Sequence, residues 1–282
     1  MVELNDGPLN GSGSQNYIRY TRLMLQCPVR DCQLPLQRDG LRLLCPRGHS
    51  FDVARSGYIN LLQPQERRSK NPGDTLTAVA GRRRLHDLGV TLPLLEAIEE
   101  TIVPSPTDVV LDAGCGDGFY LGSLATRTGF DAHGVDISSP AVDAAARRYP
   151  TCEWVVANAD RLLPYADHSF SLILSITARM NTGEFRRVLR EGGRLLVALP
   201  APDDLVELRG AGRDRVARTI DTFAPAFTLL SQHRATTTAD LDAAAVYDVL
   251  HSIYRPMQSQ TTEAMRVTFS LDLLLFKIAS QT

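Results

Sequence analysis

The sequence has neither a long apolar run nor a leader-like start. No stretch of about 18 apolar residues, the length that a membrane-spanning helix needs, occurs in the 282-residue chain. The opening residues MVELNDGPLNGSGSQN are polar and rich in glycine and serine, without the basic start and apolar segment of a secretory signal. We therefore expect a cytoplasmic protein that does not contact membranes.

Cysteine is scarce, and its few residues are clustered. The chain has five cysteines, and three of them lie within positions 27–45, with a histidine shortly after the third. Because cytoplasmic thiols stay reduced, such a cluster indicates metal ligands or nucleophiles rather than disulfides. The pattern is C-x4-C-x12-C-x3-H, formed by Cys27, Cys32, Cys45 and His49.

This spacing predicts a structural zinc site. Two knuckles supply four ligands in pairs, and the insert between them contains Arg38-Asp39-Gly40, a turn signal between two short strands. Zinc takes such ligands at tetrahedral corners, and four protein ligands leave no position for a reactive water. A module of about 40 residues has a small core, so the metal should contribute much of its stability. The alternative is a pair of buried cysteines beside an unrelated surface histidine.

The basic residues are unevenly distributed, although the formal net charge is only −2. Residues 16–84 contain 13 Arg or Lys against five acids, whereas the rest of the chain has an excess of acids. A basic segment on an acidic body is typical of proteins that bind nucleic-acid phosphates. A merely solvated set of arginines is the alternative. The candidate RNA-binding residues are Arg38, Arg42, Arg47, Arg55, Arg67, Arg68, Lys70, Arg82, Arg83 and Arg84.

A glycine-rich turn follows the first strongly apolar segment. The stretch DVVLDAGCGDGFYLGSLA begins as a buried strand, Val109–Leu111, and continues into a helix. Its residues Asp112, Gly114, Gly116 and Gly118 form D-x-G-x-G-x-G, where glycine lets the backbone turn tightly and approach a ligand. This spacing, with an acid before the first glycine, is typical of S-adenosylmethionine loops in class I methyltransferases rather than of dinucleotide-binding loops.

The following segments predict the remainder of a cofactor-binding sheet. A second strand ends at Asp136, about 20 residues after the glycine turn, where an acid can accept hydrogen bonds from both ribose hydroxyls. Asn158 and Asp160 follow the third strand, at the position that meets the adenine edge. Phe170–Ile176 is the fourth strand, and EGGRLLVALP is a turn with the fifth. The alternation of strands and helices predicts a parallel, doubly wound α/β sheet, closed after residue 200 by an antiparallel hairpin.

Together these residues resemble the 23S rRNA (guanine-N1)-methyltransferases, which include macrolide (tylosin- and mycinamicin-type) resistance enzymes of antibiotic-producing actinobacteria. The resemblance covers nearly the whole chain from Leu25 and is carried by CPRGHSFDVARSGYINLL, RRSKNPGDTLTAVAGRRRLHDLG, the glycine loop and ALPAPDDLVELRG. It implies a class I (Rossmann-like) S-adenosylmethionine-dependent methyltransferase with a small N-terminal zinc module. The implied organisation is a mobile tail (1–20), a zinc-binding RNA-recognition module (21–63), a basic linker (64–86) and a methyltransferase domain (87–282).

The resemblance also implies an acceptor, N1 of a guanine in a 23S rRNA hairpin, in the hairpin 35 region near the macrolide site. It implies S-adenosylmethionine and a structural zinc ion as cofactors and 23S rRNA as partner, with macrolide resistance as a role, and it leaves a homodimer open. The sequence departs from the family pattern in its first knuckle, C-x4-C instead of C-x2-C, and after the fourth strand, where ITARMN replaces a Y-A-P-like segment. Arg179 in that segment is the candidate catalytic residue, placed to stabilise the guanine O6.

Two other functions stay open on the sequence alone. One is a small-molecule methyltransferase of antibiotic biosynthesis, which would have little use for a basic zinc module. The other is a non-catalytic RNA-binding protein, which the intact glycine loop and Asp136 disfavour.

Overall fold

The computed structural model describes residues 25–66, 73–178, 180–252 and 263–279. The predicted tail, residues 1–20, lies outside the described residues. The strands are β1 (Gln37–Asp39), β2 (Arg42–Leu44), β3 (Ser50–Asp52), β4 (Ile59–Asn60), β5 (Val109–Ala113), β6 (Asp131–Asp136), β7 (Glu153–Val156), β8 (Phe170–Ile176), β9 (Leu189–Pro200), β10 (Phe227–Leu241) and β11 (Met265–Ile278). The helices are α1 (Leu76–Asp87), α2 (Leu92–Ile102), α3 (Phe119–Thr128), α4 (Ser139–Arg148), α5 (Thr182–Val188), α6 (Val206–Arg209), α7 (Val216–Phe223) and α8 (Ala243–Ser252).

One eight-stranded sheet forms the centre of the molecule, in the order β10-β11-β9-β8-β5-β6-β7-β4. The six strands from β9 to β4 are parallel, and β11 and β10 close the other edge as an antiparallel hairpin. The predicted doubly wound sheet with a closing hairpin is therefore confirmed. In the part of the chain that the structure describes, no helix is long and apolar enough to cross a membrane.

A second, three-stranded sheet of β1, β2 and β3 forms the metal-binding ribbon. The predicted hairpin turn is present between β1 and β2, with Gly40 at a φ of 61°, in the left-handed region that glycine adopts without strain. We call residues 25–62 the zinc ribbon.

Different elements cover the two faces of the large sheet. Helices α2, α3, α4 and α8 bury Ile98, Leu121, Val142 and Val246 on one face. On the other face, α5 and α7 contribute Phe185 and Phe223. The zinc ribbon contributes further apolar cover, with Leu25, Leu36, Leu43, Phe51 and Leu61. The connection between β7 and β8, residues 157–169, contains no helix. The zinc ribbon thus fills the place where a crossover helix would otherwise cover the sheet.

Backbone pairing also joins the zinc ribbon to the catalytic sheet. Strand β4 pairs in parallel with β7, with Ile59 opposite Val155, and Leu25 forms a bridge with Tyr165. The Ser56 hydroxyl donates to Asp143 of α4 at 2.6 Å. The zinc ribbon therefore shares its apolar core and one strand with the methyltransferase fold.

The predicted basic linker, residues 64–86, contains helix α1. The helix begins after Thr75, whose hydroxyl accepts a hydrogen bond from the Ala78 amide, as an N-cap residue does. Gly81 lies where α1 meets α8, since a Cβ there would be 3.1 Å from an Asp248 carboxylate oxygen. Arg84 pairs with the same Asp248 through two hydrogen bonds of 2.7 and 2.5 Å. Residues 76–86 of this predicted linker therefore belong to a helix that packs against α8.

His133 of β6 has a buried side chain with two acidic neighbours. Its Nδ1 lies 3.1 Å from Glu153 Oε1, and its Nε2 lies 3.4 Å from Asp131 Oδ1. Tyr165 and Phe170 pack edge-on against the ring. Burial lowers the pKa of His133, but the two carboxylates outweigh it and raise the pKa to about 9. His133 is therefore an internal cation at neutral pH.

This cation should make stability depend on pH. Because the folded-state pKa of His133 exceeds its value of about 6.5 in an unfolded chain, its stabilising contribution is complete below about pH 6.5 and is lost as the pH rises through 9. The contribution amounts to at most about 3 kcal/mol. Urea unfolding at several pH values should show this loss for the wild type and a flatter curve for His133→Gln. Equal slopes for the two proteins would contradict the assignment.

Candidate functional site

The four predicted metal ligands converge on one point. The ligand atoms of Cys27, Cys32, Cys45 and His49 all lie within 4.8 Å of one another. The Cys32 and Cys45 sulfurs are 3.8 Å apart, and His49 Nδ1 is 3.3 Å from the sulfurs of Cys27 and Cys45. A tetrahedron with zinc–sulfur bonds of about 2.3 Å has edges of about 3.8 Å, so these atoms fit one zinc ion.

Local turns bring these ligands together. The Cys32 amide donates to the Val29 carbonyl in the first knuckle, and the Gly48 amide donates to the Cys45 carbonyl in the second. Gly48 has a φ of 83°, which lets the second knuckle turn tightly and aims His49 at the cysteines. The three cysteines are buried and His49 is half-buried, and these four protein ligands fill a tetrahedral coordination sphere.

A second site, a cleft of about 570 Å³, lies at the carboxyl ends of the parallel strands β5 to β8. Ligands of doubly wound sheets bind at this edge because the connecting loops diverge there. Six of the seven predicted cofactor residues line this cleft: Asp112, Gly114, Gly116, Asp136, Asn158 and Asp160.

Asp136 connects the glycine loop to β6. Its Oδ2 accepts a hydrogen bond from the Gly116 amide at 3.0 Å, and its Oδ1 accepts one from the Ser138 amide at 2.8 Å. Burial raises the pKa of Asp136 above its usual range, while these two amide donors lower it. A carboxylate has about four lone-pair sites, so Asp136, which lines the cleft, can also accept hydrogen bonds from ligand hydroxyls.

Asp112 is a buried carboxylate with an unused oxygen. Its Oδ1 has no hydrogen-bond partner among the described residues. Burial, with a smaller contribution from Asp136, raises the pKa of Asp112 to about 8. A buried polar atom without a partner is costly, and a cationic ligand would remove that cost. The cleft is therefore suited to a cofactor that carries positive charge.

Two of the loop glycines, Gly114 and Gly118, allow different close contacts of the backbone. Gly114 has a φ of 94°, and a Cβ there would collide with Ala178 across the cleft. Gly118 is not among the residues that line the cleft, and its role as a cofactor residue stays a prediction. A Cβ on Gly118 would instead meet Trp154 and Ala145, so this glycine allows α3 to start close against β7 and α4.

Helix α1 supplies cleft residues that the sequence pattern did not predict. Arg82 lines the cleft, donates from Nη1 to Asp74 at 2.7 Å and donates from Nη2 to the Ser252 carbonyl at 2.9 Å. His86 also lines it, with its ring stacked on Phe119. Burial and the nearby Arg82 lower the pKa of His86 to about 3, so the ring is neutral. The local sequence signal for helix α1 is Thr75, an N-cap residue ahead of the arginine-rich run.

Comparison with known proteins places the chain in a family. It is 39% identical over 240 residues to the 23S rRNA (guanine(748)-N(1))-methyltransferase of Streptomyces fradiae, an alignment that covers 81% of this chain and 82% of that enzyme. The chain belongs to the 23S rRNA (guanine-N1)-methyltransferase family. It is also 36% identical over 208 residues to a Micromonospora griseorubida protein whose name gives the same activity provisionally, covering 65% of this chain and 68% of that protein.

Two family models match successive parts of this methyltransferase. The model described as "RlmA, N-terminal", a zinc ribbon, matches residues 25–70, and the methyltransferase-domain model matches residues 110–198. The class I fold, the enzyme class, S-adenosylmethionine as cofactor and the structural zinc are thereby confirmed.

The predicted RNA-binding residues of this family member differ in their surroundings. Arg38, Arg42, Arg47 and Arg55 are exposed on the zinc ribbon. Arg82 is paired with Asp74 and Arg84 with Asp248, and Arg42 on the zinc ribbon is paired with Asp39. Arg83 is half-buried beside them, and Arg67, Arg68, Lys70 and Arg179 lie outside the described residues.

Proposed function

We propose that this protein transfers the methyl group of S-adenosylmethionine to N1 of a guanine in 23S rRNA, in the cytoplasm. The observation that carries the proposal is the combination of the Asp112 and Asp136 cleft with a fitting zinc site on one continuous fold, in a chain 39% identical to a 23S rRNA (guanine-N1)-methyltransferase. The proposed division keeps a zinc-binding RNA-recognition module (21–63), a basic linker (64–86) and a methyltransferase domain (87–282).

The cleft residues divide between the parts of the cofactor. Asp136 would accept hydrogen bonds from the ribose hydroxyls, and Asp112 would face the methionyl ammonium group with its unused Oδ1. Asn158 and Asp160 would meet the adenine edge, since they line the cleft after β7. When bound, the cofactor supplies an electrophilic methyl group on sulfur.

The end of β8 is the proposed acceptor side. Thr177 and Ala178 line the cleft there, and Thr177 has a φ of 51°, a strained conformation for a β-branched residue. Such strain persists where the surrounding structure imposes it, commonly at functional sites. Arg179 follows directly, outside the described residues, and stays the candidate for stabilising the guanine O6 once N1 has lost its proton.

Transfer to N1 also requires a particular state of the RNA. N1 of guanine is protonated and lies inside Watson–Crick pairs, so the base must be unpaired or flipped before it can reach the cleft. A hairpin loop satisfies this requirement at low cost. We therefore propose a 23S rRNA hairpin, in the hairpin 35 region, as acceptor, and protection against macrolides as the physiological role.

The test is methyl transfer from labelled S-adenosylmethionine to 23S rRNA, to hairpin transcripts and to a panel of macrolides. We expect label in one RNA hairpin, at a guanine where reverse transcription stops because N1-methylation blocks pairing. Replacing that guanine by adenine should abolish the label. Label in the macrolides alone would replace the proposal with the small-molecule alternative.

The exposed arginines of the zinc ribbon should contribute RNA affinity without sequence preference. Replacing Arg38, Arg42 and Arg55 by alanine should weaken RNA binding and reduce the slope of log K against log salt by roughly 0.7 to 0.9 for each phosphate that is no longer neutralised. Filter binding at several salt concentrations measures both quantities. Cofactor affinity should stay unchanged, and Arg127→Ala with Arg266→Ala, two arginines elsewhere, is the matched control. An unchanged slope would mean that these arginines are only solvated.

A further inference from the structure

Arg82 lies over the glycine loop of the cofactor cleft. A Cβ on Gly116 would be 3.3 Å from Arg82 Nη1, so the guanidinium is adjacent to the middle glycine of the motif. Within the described residues, Asp74 and the Ser252 carbonyl each accept one hydrogen bond from Arg82. A guanidinium has five N–H donors, so further donors stay available for a ligand.

The cleft is acidic, whereas one group of the cofactor is an anion. S-adenosylmethionine carries a sulfonium and an ammonium, which suit an acidic cleft, and also a carboxylate. A carboxylate placed among other carboxylates is unfavourable unless a cation binds it. The acids that line the cleft are Asp74, Asp112, Asp117, Asp136, Asp160 and Asp204, and its arginines are Arg82 and Arg209.

Both arginines make two hydrogen bonds, but Arg82 is the one that lies next to Gly116 of the glycine loop. Arg209 donates from Nε to the Asp204 carbonyl and from Nη2 to the Asp204 carboxylate, both at 2.7 Å, and both side chains are largely buried in the α6 turn. His86 is neutral because its pKa is lowered to about 3. Among the described residues that line the cleft, Arg82 is thus the cation that lies beside the glycine loop.

We propose that Arg82 binds the carboxylate of the cofactor's methionyl group. The inference rests on the proposed function, since it assigns a residue to the cofactor of that reaction. It moves Arg82 from the predicted RNA surface to the cofactor site, and it complements Asp112, which faces the ammonium of the same amino-acid group.

Asp74 holds Arg82 in this position. The Ser138 hydroxyl donates to the Asp74 carbonyl at 3.1 Å, and a Cβ on Gly73 would collide with Ser138. The start of α1 is therefore fixed against β6 and α4, next to Asp136. The contact between Asp74 and Ser138 therefore positions the Arg82 guanidinium over the glycine loop.

The experiment compares two ligands by calorimetry on RNA-free protein: S-adenosylmethionine, and 5′-methylthioadenosine, which lacks the amino-acid group. Arg82→Ala should raise the Kd for S-adenosylmethionine on the order of 10- to 100-fold, as expected when a hydrogen-bonded charge pair is removed. The Kd for 5′-methylthioadenosine should not change. Arg82→Lys should recover part of the affinity because it keeps the charge. Arg84→Ala, which removes the next-but-one arginine of the same helix, should leave both cofactor affinities unchanged.

Three outcomes would count against the assignment. Equal weakening of both ligands would mean that Arg82 only holds α1 in place, and wild-type affinity of Arg82→Ala for S-adenosylmethionine would mean that another residue binds the carboxylate. A wild-type protein that binds neither ligand would overturn the proposed function itself. Melting temperatures identify a folding defect, and Arg82→Gln, which keeps a donor to Asp74, then decides between ligand loss and misfolding.

Discussion

Replacing Cys45 by serine should release the zinc, unfold the zinc ribbon and lower the free energy of unfolding by more than about 3 kcal/mol. The Cys45 sulfur lies 3.8 Å from that of Cys32 and 3.3 Å from His49 Nδ1, so its removal leaves one metal ion with an incomplete coordination sphere. Because the ribbon covers one face of the sheet, its unfolding also exposes Val155 and Tyr165 to water. We expect weaker RNA methylation and a lower melting temperature, with one zinc per wild-type chain and none in the variant by mass spectrometry.

Cofactor binding should largely survive this change, because none of the residues that line the cleft belongs to the zinc ribbon. Cys152→Ser is the matched control, since Cys152 is a half-buried cysteine outside the cluster. A wild-type protein purified without chelator that contains no zinc would disprove the metal assignment.

Replacing Asp136 by alanine should raise the Kd for S-adenosylmethionine at least about 100-fold, because two charge-assisted hydrogen bonds to the ribose can no longer form. The Gly116 and Ser138 amides would also lose their acceptors, which loosens the glycine loop. Calorimetry measures the affinity, and single-turnover methylation measures the consequence for the reaction.

The conservative change separates the two causes of that weakening. Asp136→Asn keeps one oxygen acceptor but not the charge, so its affinity should fall between those of the wild type and the alanine variant. Asp221→Ala, at an exposed position on α7, is the control. Wild-type affinity in Asp136→Ala would place the ribose elsewhere in the cleft.

Local sequence patterns were sufficient for most of the catalytic sheet. The predicted fourth strand and β8 share both bounds, Phe170 and Ile176, because the segment is a continuous apolar run buried on both faces. The metal ligands could also be predicted from the sequence, because zinc geometry restricts the spacing of cysteines within two short knuckles.

Features that depend on distant partners were not readable from the sequence. Strand β4 has two residues, and nothing local in Ile59–Asn60 indicates that it extends the large sheet beside β7. Helix α1 was obscured by Gly81 and three consecutive arginines, whose partners Asp74 and Asp248 are identified only by the tertiary fold. The role of Gly118 likewise depends on Trp154, which lies 36 positions further along the chain.

The pairing of β4 with β7 has a consequence for how the chain is made. During translation Ile59 emerges about a hundred residues before Val155, an interval of about 5 to 20 s at ordinary elongation rates. The zinc ligands span only residues 27–49, so they can close while the rest of the polypeptide is still on the ribosome. Zinc binding would then keep the nascent zinc ribbon folded until β7, the strand with which it pairs, has been synthesised. In a cell short of zinc, we expect chains to accumulate in which β4 is not paired with β7 at the edge of the large sheet.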